Sequence, residues 1–283
     1  MPAVSLIVKN LIINDEPFVK LLLETTQAGR RNGTKIDTLF LTGDNLQADI
    51  SGQWLNLGDL QKTDLIIDLN SQDLGKTLKQ LGYAEQIYMG QAEISGQLNW
   101  LESPFNLEKS NVSGQLDLEI EDGRFLEFEP GVGRILGILN IAAISRRLTL
   151  DFSDLFKDGF TFDEITGKFT FDDGNAYTED LTIKSPSALL ELSGRTGIVT
   201  QDYDQVITVT PSVQSSLTIA GAVAGGPAGA AIGFVAQKLI GNEVDKIART
   251  RYQVKGPWDK PEITKLKKTV PVVQNKDNSL NFE

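Results

Sequence analysis

The chain has 283 residues, of which 40% are hydrophobic, and it contains neither cysteine nor histidine. These absences exclude thiol nucleophiles, Ser-His-Asp relays, disulfide frameworks and the usual zinc sites, so the sequence predicts a protein that is not an enzyme and has no metal site or cofactor. A net charge of −11 also argues against nucleic acid as a partner, because a phosphate backbone requires a basic surface.

Residues 1–125 are predicted to form β-groove repeats with one short helix. Strands are expected at 39–50 and 65–69. A helix is expected at 73–81, because Asp73 can cap its start and Gly82 can end it. The first 18 residues contain no basic leader and no apolar core of signal-peptide length, so by themselves they suggest a cytoplasmic protein or a fragment of a longer chain.

A short unit recurs along the chain, in which an apolar residue, a small or polar residue and a glycine precede a new apolar alternation. Glycine inside a strand commonly marks a bulge or bend. The fold class predicted from these units is mainly β, with one long, curved and twisted antiparallel sheet that forms an open hydrophobic groove. The units lie at 50–54, 94–100, 112–120, 165–171, 192–196 and 254–258.

Two hairpins are predicted where an Asp-Gly pair separates alternating runs, at 121–123 and at 172–174. Further strands are expected at 181–184, 188–192 and 205–210.

Residues 126–266 are predicted to form a second β domain, with apolar helices near 132–144 and 228–240. The first of these helices would be apolar on nearly every side, so protein or lipid must cover it. Residues 267–283 are polar and lysine-rich and are expected to form a disordered tail.

The segment 217–236 carries no charge and is long enough to cross a bilayer, but its glycines and Pro227 make it a poor membrane span. Two interpretations stay open: shallow contact with a membrane interface, and a small-residue helix packed under the sheet. The membrane-contact candidates are Leu217, Ile219, Val223, Ile232, Phe234 and Val235.

Alternating apolar residues along the strands could line a hydrophobic groove or face a second layer of the same domain. In an average globular protein the second interpretation is preferred. Here the few predicted amphipathic helices could not cover a long sheet, which favours the groove. The groove candidates are Leu116, Leu118, Ile120, Leu148, Leu150, Phe152, Phe169, Phe171, Leu190 and Leu192.

Several separated motifs resemble, in the family's order, the C-terminal region of the YhdP-type proteins of the AsmA-like family. They include Asp73-Leu-Gly-Lys, the run from Glu129 to Leu139, the runs 145–156 and 159–163, and Tyr252-Gln-Val-Lys-Gly-Pro-Trp-Asp-Lys-Pro. The resemblance implies a piece of a larger envelope protein of Gram-negative bacteria. Such proteins are long β-grooves, anchored in the inner membrane, that cross the periplasm and conduct phospholipid toward the outer membrane.

The function implied by this resemblance is phospholipid transfer in the periplasm, with the C-terminal end in contact with a membrane and with envelope proteins as further partners. Two other classes remain open. A periplasmic structural or assembly factor would bind protein strands at the edges of the sheet rather than lipid. A carboxylate-based hydrolase would need converging acids such as Asp151 and Asp154.

Overall fold

The computed structural model describes residues 3–13, 16–28, 33–56, 58, 60–83, 86–126, 160–212 and 249–266. The predicted helices at 132–144 and 228–240, the predicted tail, all six membrane-contact candidates and three groove candidates lie outside these residues. Those three groove candidates are Leu148, Leu150 and Phe152.

Thirteen strands and one helix make up the described part of the chain. Their bounds are β1 Val4–Ile13, β2 Glu16–Gln27, β3 Gly33–Thr42, β4 Leu46–Asn56, β5 Gln61–Ser71, α1 Leu74–Gln80, β6 Ile87–Trp100, β7 Ser113–Phe125, β8 Phe160–Asp172, β9 Asn175–Lys184, β10 Ala188–Gly197, β11 Asp202–Pro211, β12 Thr250–Pro257 and β13 Glu262–Lys265.

All thirteen strands belong to one sheet in which the order in space is the order in sequence. Each strand pairs antiparallel with the next one. This arrangement confirms the predicted mainly-β fold with one long antiparallel sheet. The sheet continues from β7 to β8 across the predicted domain boundary near residue 125, and that boundary stays a prediction.

The register of these pairs aligns apolar side chains into rows that cross many strands. Side chains on a strand alternate between the two faces of a sheet, so residues paired in register lie on the same face. One row comprises Leu23, Leu39, Ile50, Ile67, Gly96, Leu116 and Phe169. A second comprises Leu21, Leu41, Ala48, Leu69, Ile94, Leu118 and Gly167.

One predicted hairpin is confirmed and the other is wrong. At 172–174 the chain turns from β8 to β9, and Asp173 and Gly174 both have positive φ, as a type I′ turn requires. At 121–123, however, β7 continues and keeps its register with both neighbouring strands. There Asp122 has a φ of +54°, and the buried positions change phase between Ile120 and Gly123. The Asp122-Gly123 pair therefore marks a crease within strand β7, not a turn between two strands.

The strand predicted at 39–50 is in fact two strands joined by a tight turn. Asp44 and Asn45 lie in the turn, where the backbone N–H of Gly43 donates to the carbonyl oxygen of Leu46 at 2.7 Å. Gly, Asp and Asn are typical turn residues. The prediction failed because apolar residues recur on both sides of the turn, at 39 and 41 and again at 46, 48 and 50.

Glycines in the recurring units allow adjacent strands to approach closely. Gly96 in β6 and Gly114 in β7 have φ of +151° and +135°, values that side chains of L-residues rarely adopt. A Cβ atom on Gly96 would lie 2.2 Å from the carbonyl oxygen of Gln115, and one on Gly114 would lie 2.1 Å from that of Gln97. Any larger residue would push β6 and β7 apart.

Helix α1 begins and ends as its sequence predicts. The carboxylate of Asp73 accepts a hydrogen bond of 3.0 Å from the backbone N–H of Lys76, which satisfies one free donor of the first turn. Gly82 follows the helix with a φ of +87°.

A charged network holds β10 to β11 near the end of the sheet. The guanidinium of Arg195 donates two hydrogen bonds to Asp202, at 3.1 and 2.5 Å, and one to Asn175 at 2.9 Å. The hydrogen bonds from Arg195 lower the pKa of Asp202, burial opposes this shift, and the hydroxyl of Thr200 adds to it. The indole N–H of Trp258 donates to the backbone oxygen of Asp202, which ties the turn after β12 to the same point.

Replacing Asp202 by Asn should lower the free energy of unfolding by about 1–2 kcal/mol at pH 7, because charge-assisted hydrogen bonds are lost. A carboxylate whose pKa is lowered in the folded state stabilises the protein above its unfolded pKa of about 3.9, and this contribution is lost as the pH falls through the folded value. The difference between wild type and variant in urea melts should therefore be constant from about pH 5 to 8 and shrink below about pH 4. Asp204→Asn is the control, because its ion pair with Lys255 is exposed and should contribute less than about 1 kcal/mol.

Gly114→Ala should lower the free energy of unfolding by more than about 2 kcal/mol, because it adds a backbone clash to an unfavourable φ. Gly58→Ala is the matched control. Its φ of +89° is also unfavourable, but a Cβ there meets nothing within 4 Å, so the cost should be about 1 kcal/mol. Equal costs in urea melts would contradict the role assigned to close strand approach.

Candidate functional site

The candidate site is the apolar face of β2 to β7. Here the two rows and their neighbours present aliphatic side chains that are only half-buried. In a folded core such side chains are normally fully covered, so a continuous half-buried set of this size indicates a surface open to a ligand. The set comprises Leu21, Leu23, Leu39, Leu41, Ile50, Leu65, Ile67, Leu69, Ile94, Leu98, Leu116 and Leu118.

Helix α1 borders this face along one end of the strands. The hydroxyl oxygens of Ser71 in β5 and Thr77 in α1 lie 2.9 Å apart in a buried hydrogen bond. Leu74 of the helix joins the same buried cluster as Ala92, and Leu81 packs against the separate cluster that contains Leu46. The apolar face is therefore covered where α1 lies.

The connection between β6 and β7, residues 101–112, borders the opposite end of the strands. The indole N–H of Trp100 donates to the carbonyl oxygen of Ser103 at 2.9 Å, and the hydroxyl of Thr63 donates to that of Glu102 at 2.8 Å. The ring of Phe105 packs edge-on against Trp54, with the ring centres 6.4 Å apart. Side chains of two strands thus hold the start of this loop in place.

From β8 onward the apolar face is mostly closed, although Phe171 near the end of β8 is half-buried. Ile165, Leu181, Ile183, Ile207 and Val254 are fully buried in one cluster that extends from β6 to β12. The same face of one sheet is therefore largely half-buried over its first strands and largely covered over its later ones.

The seven groove candidates within the described residues fall into two groups. Leu116, Leu118 and Phe171 are half-buried. The other four, Ile120, Phe169, Leu190 and Leu192, are buried and belong to the main cluster.

Sequence reasoning missed most of the open face, which lies in β2 to β6. The signal was weaker there, because residues 21–23 and 39–41 are continuous apolar runs, in which Leu22 and Phe40 separate the residues of the open face. Alternation shows which side of a strand is apolar, but it does not show whether that side is covered.

The opposite face of the sheet is mainly polar. A cleft of about 330 Å³ on this face is lined by residues that include Glu93, Asp117 and Lys168. Lys168 lies 3.1 Å from the carboxylate of Asp117, and its backbone N–H donates to Asp180 at 2.9 Å. Asp180 thereby occupies a bulge in β9, a structural role that needs no ligand.

Within the described ranges, no three acidic side chains come together as a metal ion would require. The lowered pKa of Asp37 has a structural cause, because Lys35 and then Thr26 donate hydrogen bonds to its carboxylate. Asp151 and Asp154, the acids considered for hydrolysis, lie outside the described residues. The described helix is also too short and too polar to cross a membrane.

Comparisons with known proteins agree with the resemblance found in the motifs. A family model described as "YhdP protein" matches residues 1–263. The chain is 27% identical over 236 residues to a protein of Escherichia coli strain K12 named "Intermembrane phospholipid transporter YhdP", and the match covers 81% of the chain and 19% of the relative. The chain thus spans about one fifth of the length of that relative. No solved structure matches.

Truncating leucines on the two parts of the face should have unequal costs. Leu190→Ala should lower the free energy of unfolding by about 2–5 kcal/mol, because it leaves a cavity in the closed core. Leu98→Ala should cost about 1 kcal/mol, because Leu98 is already partly in contact with water. Equal losses for the two variants in urea melts would show that the face of β2 to β7 is an ordinary core.

Proposed function

We propose, from the premise that the chain belongs to the YhdP protein family, that its apolar sheet face shields phospholipid acyl chains from water during transport from the inner to the outer membrane. The protein acts in the periplasm and supports the integrity of the outer membrane. It works by holding lipid and not by catalysis.

The half-buried apolar face of β2 to β7 is the observation that carries this proposal. An acyl chain in water costs about 0.8 kcal/mol per methylene group, so a lipid crossing an aqueous space needs a continuous apolar surface. Rows that pass from strand to strand supply such a surface without a break, since Leu39, Ile50 and Ile67 are direct neighbours. Headgroups would stay in water beside the open face, and the polar opposite face keeps the sheet hydrated.

The candidate residues take different parts in this mechanism. Leu116, Leu118 and Phe171 are half-buried and would touch acyl chains directly. The buried residues Ile120, Phe169, Leu190 and Leu192 would support the sheet behind or beside the lipid, and Leu148, Leu150 and Phe152 remain groove candidates from their alternation.

Membrane contact is proposed for the uncharged segment between β11 and β12. Its apolar residues would enter the interface of an acceptor membrane shallowly, as their glycine-rich context favours. They are Leu217, Ile219, Val223, Ile232, Phe234 and Val235.

A second candidate function is a structural or assembly factor of the envelope. The edge strand β1 supports it, because its outer side pairs with no strand within the described residues. Val4, Leu6, Ile7 and Ile12 are exposed on this strand. An exposed apolar edge can add a strand from another protein.

The deciding experiment is purification without detergent, followed by mass spectrometry of the organic extract. Wild type should carry phospholipid in stoichiometric amount. Leu116→Asp and Leu98→Asp should each reduce it more than about tenfold, because a charge on the open face removes roughly 2 kcal/mol of apolar contact.

Gln115→Asp is the matched control, because it adds the same charge one residue away on the polar face. It should keep its lipid, and circular dichroism should show that all variants are folded. A folded wild-type chain that carries no lipid would contradict the shielding function and favour the edge-binding alternative.

A further inference from the structure

We propose that the loop 101–112 between β6 and β7 inserts apolar side chains into a lipid bilayer, at the position where acyl chains leave the apolar face. This inference rests on the proposed function and adds to it the place of exchange and the partner surface. The partner is the apolar interior of a bilayer, not an anionic headgroup layer.

The first argument is that the open face ends beside this loop. Leu116 in β7 is half-buried, but Phe169, which pairs with it in β8, is buried. In β8, Phe171 stays half-buried at the same end of the strands as the loop. An acyl chain that moves along the rows from β2 therefore cannot continue on the same surface beyond Phe171 in β8, because Ala176, its partner in β9, is buried. It has to leave over one end of the strands, and α1 covers the other end.

The second argument is the unusual exposure of apolar side chains at this end. Phe105 is 90% exposed, although burying such a ring is normally worth about 1.5–3 kcal/mol. Leu101 and Leu107 in the same loop are also more than half exposed. A group of protruding apolar side chains on a monomer marks an interaction site.

Adjacent turns extend this patch. Leu60, which precedes β5, and Val199, in the turn after β10, are exposed at the same end of the strands. Val199 reaches the loop across the β8–β9 turn, since a Cβ atom on Gly174 would touch both Val199 and the backbone of Ser110.

The third argument is that the loop is held rigidly while its apolar tip stays free. The backbone N–H of Asn106 donates to the carbonyl oxygen of Ser103 at 3.1 Å, and that of Asn111 donates to Glu108 at 2.9 Å. Between Ser103 and Asn106, Pro104 restricts the backbone at the tip that carries Phe105. A preorganised loop loses little conformational entropy when it inserts.

The exposed tip is also continuous with the open face. The ring of Phe105 contacts Trp54, which lies in β4 on the same side as Ile50. The indole N–H of Trp54 already donates to Gln61, so this partly exposed ring can adjoin lipid without an unpaired donor, whereas Trp100, which donates to Ser103, is buried. An acyl chain could therefore pass from the face to the bilayer along aromatic and aliphatic side chains.

The charges of the loop favour apolar insertion over attraction to anionic lipid. It contains Glu102, Glu108 and one lysine, Lys109, in a chain of net charge −11. A surface that binds through anionic headgroups needs clustered lysine or arginine. Binding should therefore occur on neutral vesicles and change little with salt.

The test is flotation of the full chain with phosphatidylcholine vesicles at low and high salt. Wild type should bind, and Phe105→Asp and Leu107→Asp should each lower the partition coefficient by about tenfold or more. Both residues are exposed, so the variants should fold. Ile66→Ser, which removes an exposed apolar side chain from a strand elsewhere, is the matched control and should bind as wild type does.

Tryptophan fluorescence with brominated phosphatidylcholine locates the contact. Bromine should quench the emission of wild type, and Trp54→Phe should remove much of this quenching, because Trp54 adjoins Phe105 while Trp258 packs against Tyr203. Quenching that does not change in Trp54→Phe and Phe105→Asp would overturn the inference, as would binding that requires anionic lipid.

Co-purified lipid separates this inference from the proposed function. A chain that carries lipid but does not bind vesicles would overturn the inference and leave lipid shielding intact. A chain without lipid whose vesicle binding depends on Phe105 would support the inserting loop and contradict the shielding.

Discussion

Pairing of each strand with its sequence neighbour, in a register that keeps apolar residues opposite apolar residues, is the constraint on which this structure depends. A shift of one residue in any strand would move its leucines to the other face and interrupt the rows. Because the order in space follows the order in sequence, short connections join most of the paired strands. A continuous apolar surface across many strands is the direct result.

Backbone irregularities at Gly96, Gly114 and Asp122 change the local shape of the sheet but leave the rows of apolar side chains intact. Gly96 and Gly114 lie on opposite sides of one cross-strand pair, so β6 and β7 can approach more closely there than side chains would permit. At Asp122 the buried positions change phase, yet the register with both neighbours is unchanged. Such devices are typical of sheets that must bend and still stay paired.

The proposed lipid path follows from uneven coverage of one surface. Helix α1 covers one end of the strands and the loop 101–112 borders the other. The middle of β2 to β7 stays half-buried, and most of the face from β8 onward is a closed core. A fully open sheet would be costly in water, and a fully covered one could hold no ligand. The transition between the two parts lies at β7 and β8, where Leu116 is half-buried and its partner Phe169 is buried.

The sequence alone determined the mainly-β class, helix α1, the hairpin at 172–174 and the family, because alternation, capping residues, turn residues and motifs are local signals. Only the tertiary structure showed that Asp122 lies in a crease, that residues 39–50 form two strands, and that Leu118 is half-buried while Leu190 is buried. Leu118 and Leu190 both lie on the apolar side of their strands, and this side is all that the sequence pattern records. Whether that side meets water or protein depends on elements distant in sequence, and no local pattern records them.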